Sequence, residues 1–211
     1  MRQVFTDETL RVWLIGRAFG RWTGKETYYA HRPPYAAEDL PLSSEAPSIL
    51  FDVLDINLPQ GEFSIELPRC RITIAPGDER RIFHQQFADT ETYLALHRFA
   101  WLPLCGKKID VVWATALWLA WMEDFLGKQG GWPWNPYTAA ERAINILNFA
   151  SCYGLPETER TASALAQHAT VIASGLEYFG ERHTGNHLSN NGRGLYRLGL
   201  ELGLPAATNL G

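Results

Sequence analysis

Hydrophobic and polar positions follow two different periods along this 211-residue chain. Between residues 49 and 76 apolar side chains alternate with polar ones, as in Phe63, Ile65 and Leu67, and turn residues separate the runs. This alternation predicts two or three short strands. From about residue 88 onward apolar residues recur three and four positions apart, which predicts helices.

Capping residues and glycines set the expected ends of these helices. Asp89 is expected to cap the first helix, and Thr138 with Glu141 has the spacing of a capping box. Gly203 followed by Pro205 is expected to end the last helix. The predicted helices span residues 89–102, 108–126, 138–154, 156–179 and 186–203, with a further helix over 1–20 and a long loop over 21–48. Short joints between them predict a curved array of antiparallel helices.

Composition places the chain among folded proteins, with 46% hydrophobic and 20% charged residues. The aromatic content is high, with eight Trp, eight Tyr and ten Phe. These rings either stack on sugars or fill a helical core. The net charge of −4 and the lack of a Lys/Arg-rich stripe argue against nucleic acid as a partner.

Cysteine usage and hydropathy bear on the cellular location. Cys70, Cys105 and Cys152 form no pair, which argues against a disulfide framework and favours a reducing compartment. The apolar run from Val111 to Met122 is shorter than the roughly 20 residues that cross a bilayer. The N-terminus lacks the apolar segment of a signal peptide. We expect no membrane span and a cytoplasmic location, or a periplasmic one if a leader has been trimmed.

The segment from His183 to Arg193 carries the strongest chemical signal. It holds two imidazoles, three side-chain amides and a guanidinium in eleven residues. The pair Asn186-His187 sets a neutral amide beside an imidazole, which titrates near neutral pH, and this combination suits chemistry on an acidic sugar. Two other interpretations are an N-capping role for Asn186 and a partly buried, hydrogen-bonded His187.

His183 and His187 also have the i, i+4 spacing of a metal-binding pair. Gly185 between them argues against a helix that spans both, and no acidic third ligand accompanies them. We therefore predict no metal.

The sequence leaves the roles of several further polar and aromatic residues undecided. Trp132, Trp134 and Tyr137 are expected either to stack on sugar or to pack in the core. Asn190 with Asn191, and Arg193 with Arg197, are expected either to contact substrate or to be solvated. Inside predicted helices, His97 and Arg98 are expected to make internal polar contacts, with a substrate role as the alternative. Arg142 is a candidate for an internal salt bridge.

Three segments together resemble the heparinase II/III-like polysaccharide lyases, a group that includes alginate lyases of related fold. They are Leu96-His97-Arg98-Phe99-Ala100-Trp101-Leu102, the segment from Trp134-Asn135-Pro136-Tyr137 to Asn145, and the segment from Leu176-Glu177 through Gly185-Asn186-His187 to Leu195. The resemblance covers roughly residues 86–203.

The resemblance implies a mainly α protein. Residues 86–211 would form a partial (α/α) toroid of antiparallel helices, preceded by a small strand-bearing region over residues 1–85. The implied reaction is β-elimination on a uronic-acid-containing glycan, with Asn186 on the carboxylate and His187 as base or orienting group. No cofactor is implied, and the implied partner is an acidic polysaccharide. The residues expected to bind it are Trp134, Tyr137, His183, Asn191 and Arg193.

In the family, the toroid has more helices and a β-sandwich follows it, so a catalytic Tyr and a further His would fall beyond residue 211. The apolar side of the last helix is expected either to pack back on earlier helices or to be covered by another chain or a missing C-terminal half. Two rival functions remain. One is a non-catalytic carbohydrate-binding or assembly module, and the other is a uronyl epimerase that returns the abstracted C5 proton.

Overall fold

The computed structural model describes residues 8–19, 47–48, 51–128, 130–178 and 184–211, and it is mainly helical with one small sheet. The loop predicted over 21–48 lies almost wholly outside these residues. The helices are α1 (Glu8–Ala18), α2 (Thr90–His97), α3 (Leu102–Cys105), α4 (Val111–Phe125), α5 (Pro136–Tyr153), α6 (Thr158–Ser174), α7 (Asn186–Leu202) and α8 (Pro205–Leu210). Short 3₁₀ helices span Arg81–His84, Gly106–Lys108 and Trp132–Trp134.

The predicted strands form an antiparallel hairpin. Strands β1 (Phe63–Leu67) and β2 (Cys70–Ile74) pair with Phe63 opposite Ile74. Ile65 and Ile74 are buried, as their alternation with polar residues predicts. Their side chains join the same hydrophobic core as those of the helices.

Helix α2 begins as predicted and ends early. The carboxylate of Asp89 caps it by accepting a hydrogen bond of 3.0 Å from the Thr92 backbone N–H. The expectation that this helix runs to Leu102 is wrong, because Phe99 has a φ of 54° and turns the chain. A left-handed conformation is costly for phenylalanine, but this ring is fully buried, and its packing offsets the cost.

Helix α5 starts before the predicted capping box. Asn135 is the N-cap and accepts from the Tyr137 backbone N–H at 3.1 Å, while Pro136 takes the first helical position. Thr138 lies inside the helix and is buried, so its capping role was wrongly predicted. The earlier start places Tyr137 in the first turn of α5.

The last two long helices differ in how well their ends were predicted. Helix α6 ends at Ser174 rather than at residue 179. Helix α7 begins at Asn186 and ends at Leu202 as predicted, with Gly203 in a left-handed conformation (φ 62°). Helix α7 packs on both α5 and α6, and α8 packs back on α7.

Most described tryptophans lie in the core. Trp101, Trp113, Trp118, Trp121 and Trp134 are all buried. Trp118 and Trp121 are stacked with ring centroids 5.6 Å apart and planes 2° from parallel. For these five, core packing is the role that the structure supports.

A group of polar side chains is enclosed within this aromatic core. The guanidinium of Arg142 lies 3.8 Å from the centre of the Trp121 ring. Its N–H groups donate to His168 Nε2 at 2.8 Å and to the backbone carbonyls of His97 and Pro133 at 3.0 and 2.8 Å. In the part of the chain that the structure describes, no carboxylate pairs with Arg142, so the predicted internal salt bridge is replaced by neutral acceptors and ring faces.

Within the described ranges, no helix combines the length and the apolar character that a bilayer crossing requires.

Candidate functional site

The candidate site lies at the N-terminus of helix α7. Gly185 is the N-cap and has no side chain with which to cap the helix. Asn186 is the first helical residue and is exposed. The structure therefore does not give Asn186 the N-capping role, and its amide is accessible to solvent. A helix N-terminus also favours negative charge, because the peptide dipoles align along the axis.

The imidazole of His187 is held by a buried carboxylate. Its Nδ1 lies 2.9 Å from Oε1 of Glu177, a residue that is 1% exposed, while the His187 side chain is half exposed. Since a carboxylate accepts hydrogen bonds, Nδ1 carries the proton in the neutral imidazole. Nε2 is then the nitrogen with a lone pair, as a general base requires.

Asn191 fixes Glu177 in turn. Its Oδ1 accepts from the Glu177 backbone N–H at 3.0 Å, and its Nδ2 donates to Oε2 of the same residue at 3.3 Å. Asn191 is completely buried. Its described contacts are therefore with Glu177, and it supports His187 from beneath rather than facing solvent.

Tyr137 forms one side of the site. Its ring centroid lies 4.4 Å from that of His187. The guanidinium carbon of Arg98 lies 4.8 Å from the same Tyr137 ring centroid. Arg98 also pairs with Glu91 at 3.3 Å. Asn190 donates from Nδ2 to the Tyr137 backbone carbonyl at 3.4 Å. Helices α5 and α7 thus meet at the His187 ring, and Arg98, which follows α2, contacts the ring of Tyr137.

The other predicted site residues are not among the contacts that the structure describes for this group. Trp134 is 4% exposed, and its indole N–H donates to the Phe125 carbonyl at 3.0 Å, so it is a core residue. Arg193 is exposed on α7. Arg197 pairs with Glu201 at 3.2 Å. His183 lies outside the described residues.

His97 makes the internal polar contact that the sequence predicts. It is fully buried and accepts from the Trp121 indole N–H at 3.2 Å, which confirms an internal polar contact. Burial, together with the positive charge of Arg142, lowers the pKa of His97 to about 3. Burial also lowers the pKa of His168 well below its ordinary value. Both imidazoles are therefore neutral at physiological pH.

Among the described residues, no group of three or more His, Cys, Asp or Glu side chains could hold a metal ion. His183 of the i, i+4 pair lies outside those residues.

Glu177 is the site residue to which no role had been assigned from sequence. It stands in one of the segments that carry the family resemblance, ten positions before His187. A carboxylate at that position was a signal for a site residue. Its pairing with His187, however, depends on how the chain connects α6 to α7. Trp132, for which stacking on sugar or core packing was expected, is 57% exposed, whereas its neighbour Trp134 is buried.

The assembled group provides an accessible amide, an imidazole whose tautomer is fixed by a buried carboxylate, and a helix N-terminus that favours an anion. Comparisons with protein-family models, with curated proteins and with solved structures gave no match.

Proposed function

We propose that this chain is part of a heparinase II/III-like polysaccharide lyase that cleaves a uronic-acid-containing glycan by β-elimination. The observation that carries the proposal is the exposed Asn186-His187 pair with His187 held through Nδ1 by Glu177. The helices around it would then belong to a partial (α/α) toroid.

The first requirement of this reaction is stabilisation of the substrate carboxylate. The C5 proton of a uronate becomes acidic when a hydrogen-bond donor draws charge from the neighbouring carboxylate. The exposed amide of Asn186 is such a donor, and the N-terminus of α7 adds a favourable field for an anion.

The second requirement is a base. In the proposed step, Nε2 of His187 takes the C5 proton, the electron pair forms the C4–C5 double bond, and the C4–O bond breaks. The leaving oxygen is protonated by a general acid or by water. Glu177 stabilises the imidazolium that forms, in the same way that a buried carboxylate supports a histidine base elsewhere.

The test is an elimination assay on a panel of uronic-acid-containing glycans. We expect the wild-type chain to raise the ultraviolet absorbance of the unsaturated product with at least one glycan. Asn186→Ala should lower kcat by about 100- to 1,000-fold, as loss of one stabilising donor does. Asn209→Ala is the matched control, because it removes an exposed amide from α8.

Two other outcomes would change the function. Solvent deuterium that enters at C5 without cleavage would indicate a uronyl epimerase. Glycan binding with neither exchange nor cleavage would indicate a non-catalytic carbohydrate-binding module and would overturn the lyase.

A further inference from the structure

A second concave region lies away from His187, between the 3₁₀ helix Arg81–His84 and the connection that contains Trp132. Its volume is about 480 Å³, inside the range of roughly 300–1,000 Å³ typical of small-molecule sites. The start of α2 and the end of α4 complete its walls.

Aromatic rings dominate these walls. Five of them line the cavity: Phe83, Phe87, Tyr93, Phe125 and Trp132. Trp132 is 57% exposed, whereas the other tryptophan of its 3₁₀ helix, Trp134, is 4% exposed. A large ring left open beside a cavity provides a flat face on which the C–H face of a sugar ring packs.

Uncharged polar groups complete the lining. Gln85 and Gln86 contribute amides, which both donate and accept hydrogen bonds and so match sugar hydroxyls. His84 also lines the cavity, and its Nε2 lies 3.0 Å from Oδ2 of the buried Asp124. That contact orients the His84 ring and leaves Nδ1 as its other hydrogen-bonding nitrogen.

The charges of the lining argue against an acidic ligand. Neither Lys nor Arg is among the described residues that line the cavity. Asp89 does line it, and hydrogen bonds from Thr92 hold the pKa of its carboxyl below the usual value, so it is negative at neutral pH. A uronate would therefore meet a like charge inside the cavity. Arg69, whose Nε lies 3.9 Å from Oδ1 of Asp89, is not among the described residues that line it.

We propose that this cavity binds an uncharged sugar residue of a glycan, with Trp132 as the stacking platform and Gln85 and Gln86 as hydroxyl partners. The inference rests on the proposed function for the view that the ligand is a glycan. Trp132 lies just before α5 and Tyr137 lies in its first turn, so one glycan reaching both places would combine uronate and neutral residues.

Fluorine NMR of protein labelled with 5-fluorotryptophan tests this directly. Trp132→Phe assigns the Trp132 resonance by its disappearance. The neutral probes are cellotriose, mannotriose and tri-N-acetylchitotriose, with trigalacturonate as the acidic comparison. We expect at least one neutral trisaccharide to shift the Trp132 resonance saturably, and trigalacturonate to bind at least about tenfold more weakly.

Calorimetry with the same probes measures the contribution of each side chain. Trp132→Ala should weaken binding of the neutral trisaccharide by at least about tenfold, whereas Leu104→Ala, which removes another exposed apolar side chain, should leave it unchanged. Gln86→Arg should improve trigalacturonate binding, because it supplies the missing cation.

The proposal is overturned if no neutral trisaccharide moves the Trp132 resonance, or if trigalacturonate binds as tightly as they do. Asn186→Ala separates the two sites, since it should lower kcat for elimination by about 100- to 1,000-fold and leave trisaccharide binding intact. Binding without any elimination would therefore contradict the lyase and retain this cavity as a sugar site.

Discussion

One buried carboxylate determines how His187 presents its ring. Glu177 accepts from Nδ1, and Asn191 holds Glu177 through both its backbone and its side chain. The three residues are close in sequence, but Glu177 lies in the α6–α7 connection, whereas His187 and Asn191 lie on α7. The orientation of the proposed base therefore depends on the buried pair and not on the exposed surface.

Glu177→Gln should lower kcat for elimination by about 10- to 100-fold, the usual cost of losing a residue that orients a functional histidine. The neutral amide no longer requires a proton on Nδ1, so the tautomer of His187 becomes mixed. Nitrogen-15 NMR of the imidazole measures that change, and thermal unfolding shows whether the fold is retained.

Glu201→Gln is the matched control for this substitution, because Glu201 lies on α7 and pairs with Arg197 away from His187. A Glu177→Gln protein with an unchanged Nδ1–H tautomer and full activity would show that the carboxylate has no positioning role.

Single residues were predicted from sequence to different degrees. The Asn186-His187 pair was recognisable because both residue types stand at a helix start, and both are exposed. The sequence did not show which of Trp132 and Trp134 is exposed, because the two side chains of one 3₁₀ turn lie in opposite environments. Such a difference depends on which ring the surrounding helices cover, and the local pattern does not contain it.

Helix packing places Tyr137 against His187. Gly194 on α7 faces Ala140 on α5, and a Cβ built on Gly194 would lie 2.8 Å from the Ala140 Cβ. The two helices therefore approach closely one turn beyond Tyr137. This contact sets the distance between the ring of Tyr137 and the first turn of α7.

Gly194→Ala should destabilise the protein, because overpacking costs about 1–3 kcal/mol and exceeds the gain of about 1 kcal/mol in helix propensity. Urea unfolding measures the difference in free energy. Gly194→Ala should also lower elimination activity, since the added methyl group moves α7 away from Tyr137.

Gly192→Ala is the matched control on the same helix, because its Cβ would meet only the exposed Gly211 carbonyl at 3.2 Å. Equal stability of the two variants would show that the α5–α7 approach is not limiting.

Helix ends were predicted where a local signal fixes them. Asp89 and Gly203 act through their own side-chain or backbone chemistry, so the sequence identified them. The early end of α2 was not predictable, because Phe99 takes a positive φ only when its ring is held in the finished core. The start of α5 was misassigned because Asn135-Pro136 and Thr138-Glu141 are both valid start signals, and packing selected the first.

The assembled core contains two neutral imidazoles, and they make its stability sensitive to acid. Burial lowers the pKa of His97 from 6.5 to about 3 and that of His168 well below 6.5. Below pH 6.5 the unfolded chain binds protons that the folded chain does not. Stability is therefore complete above that pH and falls as the pH drops from 6.5 towards 3.

Each imidazole should contribute a slope of up to about 1.4 kcal/mol per pH unit within that window. Urea unfolding at pH 7, 6 and 5 measures the combined slope of the two imidazoles. His168→Gln should reduce the slope, because one of the two groups is gone. A free energy of unfolding that stays constant from pH 7 to pH 5 would contradict the neutral state of both rings.

The acceptors around Arg142 give the core an uneven tolerance to substitution. Two of them are main-chain carbonyls, at His97 and Pro133, and these atoms persist whichever side chains occupy the two positions. Only the planar fork of arginine reaches both carbonyls together with the His168 ring, and lysine has no equivalent geometry. In a saturation library, position 142 should accept almost no replacement, while equally enclosed neighbours such as position 133 accept several.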